Sequence, residues 1–503
     1  MYKDLRGYLQ DLEKIGELKH IKGADWDTEI GTLANLVAER AGPALLFDEI
    51  KDYPKGFRVL TNAFNNSRTM GTTLGLGANL NTRELVLEIV RNLPKWRRER
   101  VPVREVKAGP VFENVRKDED VDLFRFPAPV WHEDDEQPDG RRTRMLGTGC
   151  AVVTMDPETG WVNLGSYRNQ VFEKNVLGVE FRTGRHGALH REKYWAKGKP
   201  MPVAISIGHE PLVGVLAGME ISPVGVSDYE IIGAIKGEPL EVVRAPLTGL
   251  PVPASSEIVV EGFQGPDDKR RPEGPFGEWA GVYSHGERRT FKVKAVYHRN
   301  DPIISGCPPG KPPACNESYL LTTWRSALVH EALISAGLPN VKCVWANQSG
   351  NGVLIKIISI KQSYIGHSRQ AALLATNVGP GAYANKYVIV VDDDIDPTNT
   401  NDVLWAIATR SDPASCIDII KRTYSSKSDP IHEAVFEAEA AATGRKPLLG
   451  GTDKAGRWIN IPGSVAVIDA CIPYELLEYF PKTCYPSPEV KKNVTEKWPE
   501  LFA

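Results

Sequence analysis

The run PEGPFGE at residues 272–278 carries two carboxylates, Glu273 and Glu278, among two prolines and two glycines. Proline fixes φ and glycine permits unusual φ values, so such a run can hold two side chains in set directions without helix or strand geometry. When two carboxyl groups lie in unlike environments, their pKa values differ, and one can act as an acid while the other acts as a base. A solvated turn after the charged run 267–271 explains the same residues, and both interpretations stay open at this point.

Three further polar residues precede this run: Asn163, Arg168 and His186. Asparagine oxygen and histidine nitrogen are suitable ligands for a divalent ion, and an arginine can hold a carboxylate through two parallel hydrogen bonds. Alternatively, Asn163 is a turn residue and Arg168 an ion-pair partner. His186 and His190 have the i, i+4 spacing of a zinc site, but they lack the glutamate of an HExxH motif, and an isolated pair is more often structural.

Two acidic segments are candidates for completing a metal site. Residues 227–233, SDYEIIG, carry Asp228 and Glu230, which either complete an Asn/His/carboxylate ligand set or face outward from a strand. Residues 392–396, DDDID, follow a predicted buried strand. Acidic strand ends can bind Mg²⁺, but a solvated loop before a helix N-terminus, where negative charge is favourable, is the commoner explanation.

Composition excludes several classes of protein. A chain of 503 residues predicts three or four domains, and a net charge of −3 argues against a nucleic-acid binder. No uncharged apolar run reaches about 18 residues and the N-terminus has no apolar signal core, so we expect a cytoplasmic protein without a membrane span. The seven cysteines are scattered without a CxxC pair, which indicates reduced thiols and no thiolate zinc site.

Several segments of the chain must position these groups. Residues 1–108 are predicted to be α/β, with an apolar helical stripe and a capped helix that starts at Asn81 or Thr82. Residues 109–316 contain short β-prone runs between Gly/Pro turns, which predicts an antiparallel, barrel-like β domain. Residues 317–445 alternate helices with strands, as in an open α/β sheet, and residues 446–503 are interpreted as a helix-containing extension for oligomerisation. The apolar stripe of the first helix consists of Leu5, Leu9, Leu12, Ile15 and Leu18.

Taken together, the motifs resemble those of UbiD-type decarboxylases. Asn163, Arg168 and His186, the run at 272–278, and the run DDIDPTNTNDVLWAIATR at 393–410 follow the family's order and spacing over nearly the whole chain. The resemblance implies that the central domain is a split β-barrel of the flavin-reductase type that binds prenylated FMN. It also implies Mn²⁺ or Mg²⁺ and K⁺ at the cofactor phosphate, a separate flavin prenyltransferase that supplies the cofactor, and a homodimer or homohexamer.

The resemblance also implies roles for individual residues. Arg168, Glu273 and Glu278 match the family's Glu–Arg–Glu catalytic network, with Glu278 as the proton donor. Asn163 and His186 match metal ligands. The third metal ligand is a glutamate in the family; Asp228 occupies that position here, with Glu230 as the alternative. The residues that match the cofactor and ion environment are Asn163, Ser166, Tyr167, Arg168, Arg185, His186, Ala217, Gly218, Glu220 and Arg410.

The implied reaction is the reversible, non-oxidative decarboxylation of an aromatic or heteroaromatic acid, with release of CO₂. Loss of CO₂ from an sp² carbon leaves an unstabilised carbanion, so a cofactor must act as an electron sink. The polar run at 423–426 would suit a heteroaromatic or hydroxylated acid if it lines the pocket, and otherwise faces solvent. Two other interpretations are a flavin-dependent oxidoreductase on a split-barrel fold and a non-catalytic subunit of a carboxylase complex.

Overall fold

The computed structural model describes residues 1–182, 184–219, 221–426, 429–443 and 462–501. None of the helices in these ranges combines the length and the apolar character that crossing a bilayer requires.

The N-terminal segment is α/β, as predicted. Strand β1 runs parallel to β2, and β2 runs antiparallel to β3. The predicted capping box opens α4, because Asn81 and Glu84 each accept a hydrogen bond from the other's backbone N–H. The first helix was expected to reach Leu18 but ends at Lys14, since Gly16 turns the chain with φ of 76° and Leu18 begins β1. The elements are α1 Leu5–Lys14, β1 Leu18–Lys22, α2 Glu29–Ala38, β2 Ala44–Asp48, β3 Arg58–Thr61, α3 Ser67–Thr73 and α4 Thr82–Arg98.

The central segment confirms the predicted antiparallel β domain. Its main sheet has the order β6-β9-β10-β16-β14-β11-β7-β8, and β5 and β15 also pair with β16. The end strands β6 and β8 do not pair with each other, so the sheet is an open half-barrel. The elements are β4 Arg104–Glu105, β5 Asn114–Lys117, β6 Arg144–Gly147, β7 Cys150–Met155, β8 Val162–Gly165, β9 Asn169–Glu173, β10 Val176–Gly178, α5 His186–Ala196, β11 Met201–Ile207, α6 Pro211–Gly218, α7 Asp228–Lys236, β12 Glu241–Arg244, β13 Pro251–Pro253, β14 Ile258–Gln264, β15 Arg270–Gly277, β16 Tyr283–His298 and β17 Ile303–Ser305.

The run PEGPFGE lies mostly in a strand, although its prolines and glycines predicted a loop. It forms most of β15, and the pairing of β15 with β16 shifts register between Glu273 and Phe276. Gly274 and Pro275 therefore form a β-bulge, where a residue lies outside the ladder and proline's missing N–H costs little. Glu278 follows directly in the turn to β16, which its own N–H closes by bonding to the carbonyl of Val282 at 2.8 Å.

The C-terminal segment is the predicted open α/β sheet, of order β18-β19-β20-β22-β21. Strands β19, β20 and β22 are parallel, and both edge strands are antiparallel to their neighbours. The elements are α8 Asn316–Ser335, β18 Val341–Ala346, β19 Ile355–Ile360, α9 His367–Asn377, α10 Gly379–Ala382, β20 Tyr387–Asp392, α11 Thr400–Arg410, α12 Pro413–Cys416, β21 Ile417–Tyr424, α13 Pro430–Thr443, β22 Pro462–Ala470 and α14 Pro488–Lys497.

Two strands cross the segment boundaries predicted from the sequence. Strand β17, from the range 109–316, pairs with β3 of the N-terminal sheet. Strand β22, from the range 446–503 interpreted as an extension, lies between β20 and β21 of the C-terminal sheet. One cluster of buried apolar residues includes side chains from both the N- and the C-terminal segment. Within it, Trp96 of α4 and Trp324 of α8 have ring centroids 6.1 Å apart. The segments therefore share both sheets and core.

Candidate active site

A cavity of about 850 Å³ is lined by all three segments of the chain. Phe64 comes from the N-terminal segment, Gly165 from the central sheet and Leu321 from α8. The volume falls within the range of roughly 300–1,000 Å³ typical of small-molecule sites. The predicted site residues on its wall are Asn163, Ser166, Tyr167, Arg168, Arg185, His186, Ala217, Gly218, Asp228 and Glu278.

The structure brings Arg168, Glu273 and Glu278, here called the Glu–Arg–Glu cluster, into direct contact. Arg168 lies between β8 and β9, and its Nε and Nη2 donate to the two carboxylate oxygens of Glu273 at 2.7 and 2.8 Å. The same Nη2 lies 3.1 Å from Oε1 of Glu278. The guanidinium also stacks on Phe276, with Cζ 4.5 Å from the ring centroid. One arginine therefore links both carboxylates of the PEGPFGE run.

Three more residues bind the two carboxylates. Arg288 donates Nη2 to Glu273. Ser284 donates to Oε1 of Glu278 at 2.7 Å, and Nη2 of Arg182 lies 3.4 Å from the same oxygen. Arg288 and Ser284 were not among the site residues predicted from the sequence. The signal lies in the hairpin register, because Glu273 pairs with Gly286 on β16 and residues two apart on a strand share a face.

The cluster holds its carboxylates ionised. Burial raises the pKa of Glu278, but the charges of Arg168 and Arg182 and the Ser284 hydrogen bond outweigh it and lower the pKa from 4.5 to about 2. Burial opposes ionisation of Glu273 as well, and Arg168 and Arg288 again outweigh it, so its pKa is also lowered. Arg168, Arg182 and Arg288 all line this wall of the cavity. Their guanidinium groups are donors suited to binding a carboxylate.

Asn163, His186 and Asp228 lie on one part of the cavity wall. Asn163 Oδ1 is 3.0 Å from Nδ1 of His186, the first residue of α5. Asp228 is the first residue of α7, not part of a strand, and is buried. Its Oδ2 accepts the backbone N–H of Leu164 at 2.9 Å, and its Oδ1 accepts the hydroxyl of Ser222 at 2.6 Å. These bonds hold the carboxylate beside the strand that carries Asn163.

These three side chains are a suitable donor set for a hard divalent cation. An amide oxygen, an imidazole nitrogen and a carboxylate are among the ligands that Mg²⁺ and Mn²⁺ accept. Burial and the charge of Arg185 lower the pKa of His186, which favours the neutral imidazole that a metal ligand requires. Within the described ranges, no group of three or more His, Cys, Asp or Glu side chains is arranged to hold a metal. A site here therefore depends on the amide of Asn163.

The cavity wall also leaves free space beside the backbone, which a bulky planar cofactor needs. The N–H of Ser166 donates to the carbonyl of Ala217 at 2.9 Å, which joins the strand end to helix α6. A Cβ built on Gly218, at the end of α6, would meet no heavy atom within 4 Å. The residues predicted to contact the cofactor in this region thus border free space.

Other predicted residues lie elsewhere. Glu230 lines a neighbouring groove and not this cavity. Arg410 is buried in the C-terminal segment, where it pairs with Asp392 at 2.9 Å and with Asp394 at 2.6 Å, and it does not line the cavity. These contacts also explain the acidic run 392–396 as an ion-pair partner and loop. Glu220 is outside the described residues.

The polar run at 423–426 does not line the cavity either. It reaches the wall through Tyr383, whose hydroxyl donates to Ser426 Oγ at 2.9 Å. Of the two alternatives for this run, lining this cavity is excluded, and the contact of its hydroxyl groups with the site is indirect.

Comparison with known families matches three successive models along the chain. Residues 9–91 match the N-terminal domain of 3-octaprenyl-4-hydroxybenzoate carboxy-lyase, residues 104–312 its Rift-related domain, and residues 318–452 its C-terminal domain. Together these domains include every member of the Glu–Arg–Glu cluster and of the Asn163, His186 and Asp228 set.

Individual relatives agree. The chain is 34% identical over 429 residues to a phenolic acid decarboxylase of Streptomyces sp. (strain D7), which covers 83% of this chain and 86% of that protein. It superposes on the open form of the vanillic acid decarboxylase of Sedimentibacter hydroxybenzoicus with a TM-score of 0.80 and 30% identity, covering 100% and 99% of the two chains. It superposes on an evolved dimeric form of a UbiD-class enzyme from Pelotomaculum thermopropionicum, in complex with prFMN, with a TM-score of 0.76 and 25% identity. This match covers 96% of this chain and 97% of that chain. The chain therefore belongs to the UbiD family of carboxy-lyases.

Proposed function

We propose that this carboxy-lyase catalyses the reversible, non-oxidative decarboxylation of an aromatic or heteroaromatic acid with prenylated FMN as cofactor. The observation that carries the proposal is the Glu–Arg–Glu cluster on the cavity wall, where Glu278 is linked through Arg168 to the buried Glu273. The three guanidinium groups on this wall suit a substrate that enters as a carboxylate. The named relatives, which act on phenolic and vanillic acids, support the choice of an aromatic acid.

Glu278 is the group we assign as proton donor. Its pKa of about 2 means that it waits as a carboxylate in the ligand-free site. A substrate carboxylate that pairs with Arg168 and Arg182 competes for the two cations that stabilise this ionised form. The pKa of Glu278 then rises, so that Oε1 or Oε2 can carry a proton. That proton passes to the ring carbon after CO₂ leaves.

Glu273 and Arg168 are assigned to positioning. The bidentate pair fixes the plane of the guanidinium, and Arg288 holds the far side of Glu273. Prenylated FMN, when bound, supplies the electron sink for the negative charge left by loss of CO₂. Phe276 is buried and covers one face of the guanidinium.

Asn163, His186 and Asp228 would hold Mn²⁺ or Mg²⁺. Asp228 takes the role of third ligand because it shares the cavity with the other two, whereas Glu230 lines the neighbouring groove. Ser166, Tyr167, Arg185, Ala217 and Gly218 would contact the cofactor and K⁺. Arg410 is left out of this set because it does not line the cavity. The flavin prenyltransferase that supplies the cofactor and the homodimeric or homohexameric assembly stay predictions.

Coexpression with a flavin prenyltransferase tests the proposal. The purified protein should carry a flavin with the mass and absorbance of the prenylated form, and it should release CO₂ from at least one member of a panel of aromatic and heteroaromatic acids. Protein expressed without the prenyltransferase is the control and should bind plain FMN without turnover. Plain FMN in both preparations, with hydride transfer from a nicotinamide cofactor and no CO₂, would instead support a flavin oxidoreductase.

A further inference from the structure

One guanidinium on the cavity wall has no counter-ion within the described part of the chain. Arg325 of α8 lines the cavity but makes no hydrogen bond or ion pair with any described residue, and its Nε is buried without a partner. Its one ring contact is with Tyr383, whose centroid is 5.9 Å from Cζ. By contrast, Arg97 on the same wall pairs with Glu331 at 3.2 Å, and Arg168 with Glu273 at 2.7 Å.

Among the described residues, the groups that act electrostatically on Arg325 are basic or aromatic, and none is a carboxylate. Lys356 on β19 is fully buried, and its Nζ donates to the carbonyl of Val353 at 2.7 Å. Burial and the charge of Arg325 both lower the pKa of Lys356. Burial and the charge of Arg185 likewise lower the pKa of Arg325. Arg325 is half-buried, and a cation partly withdrawn from water without a counter-ion is costly, so an anion that enters the cavity would offset this cost.

The helix position of Arg325 and the ring beside it are fixed before any ligand arrives. The preceding residue, Trp324, is buried against Trp96 of α4. Tyr383, the ring beside the guanidinium, is fixed by its hydroxyl bond to Ser426 and by an edge contact with Tyr424, at a centroid distance of 5.5 Å. A fixed backbone and a fixed neighbouring ring reduce the conformational freedom that ligand binding must remove.

The helix face around Arg325 selects the kind of anion. Leu321 and Leu328 lie one turn before and about one turn after Arg325, so the three share a face of α8, and all three line the cavity. An apolar face with a single central cation and a neighbouring tyrosine ring matches an aromatic ring that carries one oxygen substituent. It offers few partners to a polyhydroxylated chain or a phosphate, which need several donors.

We propose that Arg325 is a specificity-determining residue that binds an oxygen substituent, a phenolic oxygen or a second carboxylate, on the aromatic ring of the substrate. Arg168 and Arg182 meet the carboxylate that leaves as CO₂. The inference rests on the proposed function, since it deepens the substrate class from aromatic acids to aromatic acids with a second acidic oxygen group.

The test compares three ligands on the flavin-loaded enzyme: benzoate, 4-hydroxybenzoate and terephthalate. Affinities are measured by equilibrium dialysis, and CO₂ release is recorded separately. Wild type should bind the two substituted acids at least tenfold more tightly than benzoate. Arg325→Leu and Arg325→Gln should abolish this preference while changing benzoate affinity less than twofold, and Arg325→Lys should keep part of it for terephthalate.

Arg97→Gln is the matched control, because it removes a guanidinium from the same wall whose charge Glu331 already neutralises; it should keep the preference. Circular dichroism and flavin absorbance check that each variant is folded and loaded. Loss of the flavin from both neutral variants would show that Arg325 holds the cofactor, and would overturn the proposal. So would equal affinity for the three acids in wild type, or no binding of any. A preserved affinity pattern without CO₂ release from any acid would overturn the proposed function alone.

Discussion

Arg168 and Glu273 form a bidentate ion pair, with Nε and Nη2 of the arginine 2.7 and 2.8 Å from the two carboxylate oxygens. Two parallel hydrogen bonds fix both the position and the plane of a guanidinium. Because Nη2 also contacts Glu278 at 3.1 Å, the pair determines where that carboxylate lies. Glu273 does not line the cavity, whereas its partners Arg168 and Arg288 do, so its influence on a ligand acts through these two arginines.

Replacing the assigned proton donor should stop turnover. Glu278→Gln keeps the shape of the side chain but removes the proton that a carboxylic acid can give, so we expect CO₂ release to fall by about 10²–10⁴-fold. Flavin absorbance should be unchanged. Glu278→Asp, which keeps the acid one methylene further away, should retain more activity than the amide. A fully loaded Glu278→Gln enzyme above a tenth of the wild-type rate would contradict the assignment.

The second arginine on Glu273 should contribute to stability. Arg288→Met removes a charged hydrogen bond from a carboxylate whose side chain is 1% exposed, while Arg168 remains to neutralise it. We expect a loss of about 1.5–3 kcal/mol in the free energy of unfolding, measured with urea. The control is Arg271→Met on the same hairpin, whose pair with Glu173 is largely exposed and should cost less than about 1 kcal/mol. Equal losses would mean that burial of the pair is unimportant.

Arg182 should help to keep Glu278 ionised. It is one of the cations that lower the pKa of Glu278 to about 2, so Arg182→Leu should raise that pKa toward 4.5. Infrared titration of the carboxyl signal, with the double variant Arg182→Leu/Glu278→Gln subtracted, gives the value directly. Arg270→Leu, at 40% exposure against 42% for Arg182 but paired with Glu180, is the matched control and should leave the titration unchanged. A carboxyl of Glu278 that titrates alike in both variants would refute the electrostatic role of Arg182.

His330 should make the protein sensitive to mild acid. Burial lowers the pKa of this α8 histidine from 6.5 to about 4, so the folded state keeps it neutral while the unfolded chain takes up a proton. Its contribution is fully present above pH 6.5 and is lost as the pH falls toward 4. At pH 5 the loss is roughly 2 kcal/mol. Urea unfolding at pH 7 and pH 5 should therefore show a smaller drop for His330→Gln than for wild type; identical drops would exclude the mechanism.

The metal site should depend on one of two neighbouring carboxylates. Asp228→Asn removes the charge that lies with Asn163 and His186 on the cavity wall, so bound Mn²⁺, measured by elemental analysis after dialysis, should fall at least tenfold. Glu230→Gln, two residues along the same helix, should keep its metal because Glu230 lines the neighbouring groove. The reverse result would make Glu230 the third ligand.

Features encoded by neighbouring residues could be predicted from the sequence. The Asn81/Glu84 capping box depends on contacts within a few residues, and the strand at 150–155 was predicted from the preference of its own residues for extended backbone; both are present. The β-bulge was interpreted as a loop, because Gly274 and Pro275 suit either structure and only pairing with β16 decides between them. The sequence left open whether the polar run at 423–426 lines the pocket or faces solvent, because only the packing of Tyr383 between the run and the cavity decides it.

The residues that were missed act over longer distances. Arg288 and Ser284 reach the two glutamates only through the register of the β15–β16 hairpin. Arg325 has no local signature, since an arginine within a helix usually faces solvent. Its significance comes from the absence of a partner among the described residues, and that depends on how α8 packs against the other segments.

The shared cavity wall also affects how cooperatively the molecule unfolds. The same cavity is bordered by Leu5 of the N-terminal segment, Glu278 of the central segment and Tyr383 of the C-terminal segment. A ligand that contacts all three can bind only while the segments stay together, so its binding free energy opposes their separation. At a free concentration 1,000 times its Kd, this amounts to about 4 kcal/mol. The three segments of the ligand-bound enzyme should therefore unfold in one cooperative transition, because the bound molecule contacts all of them.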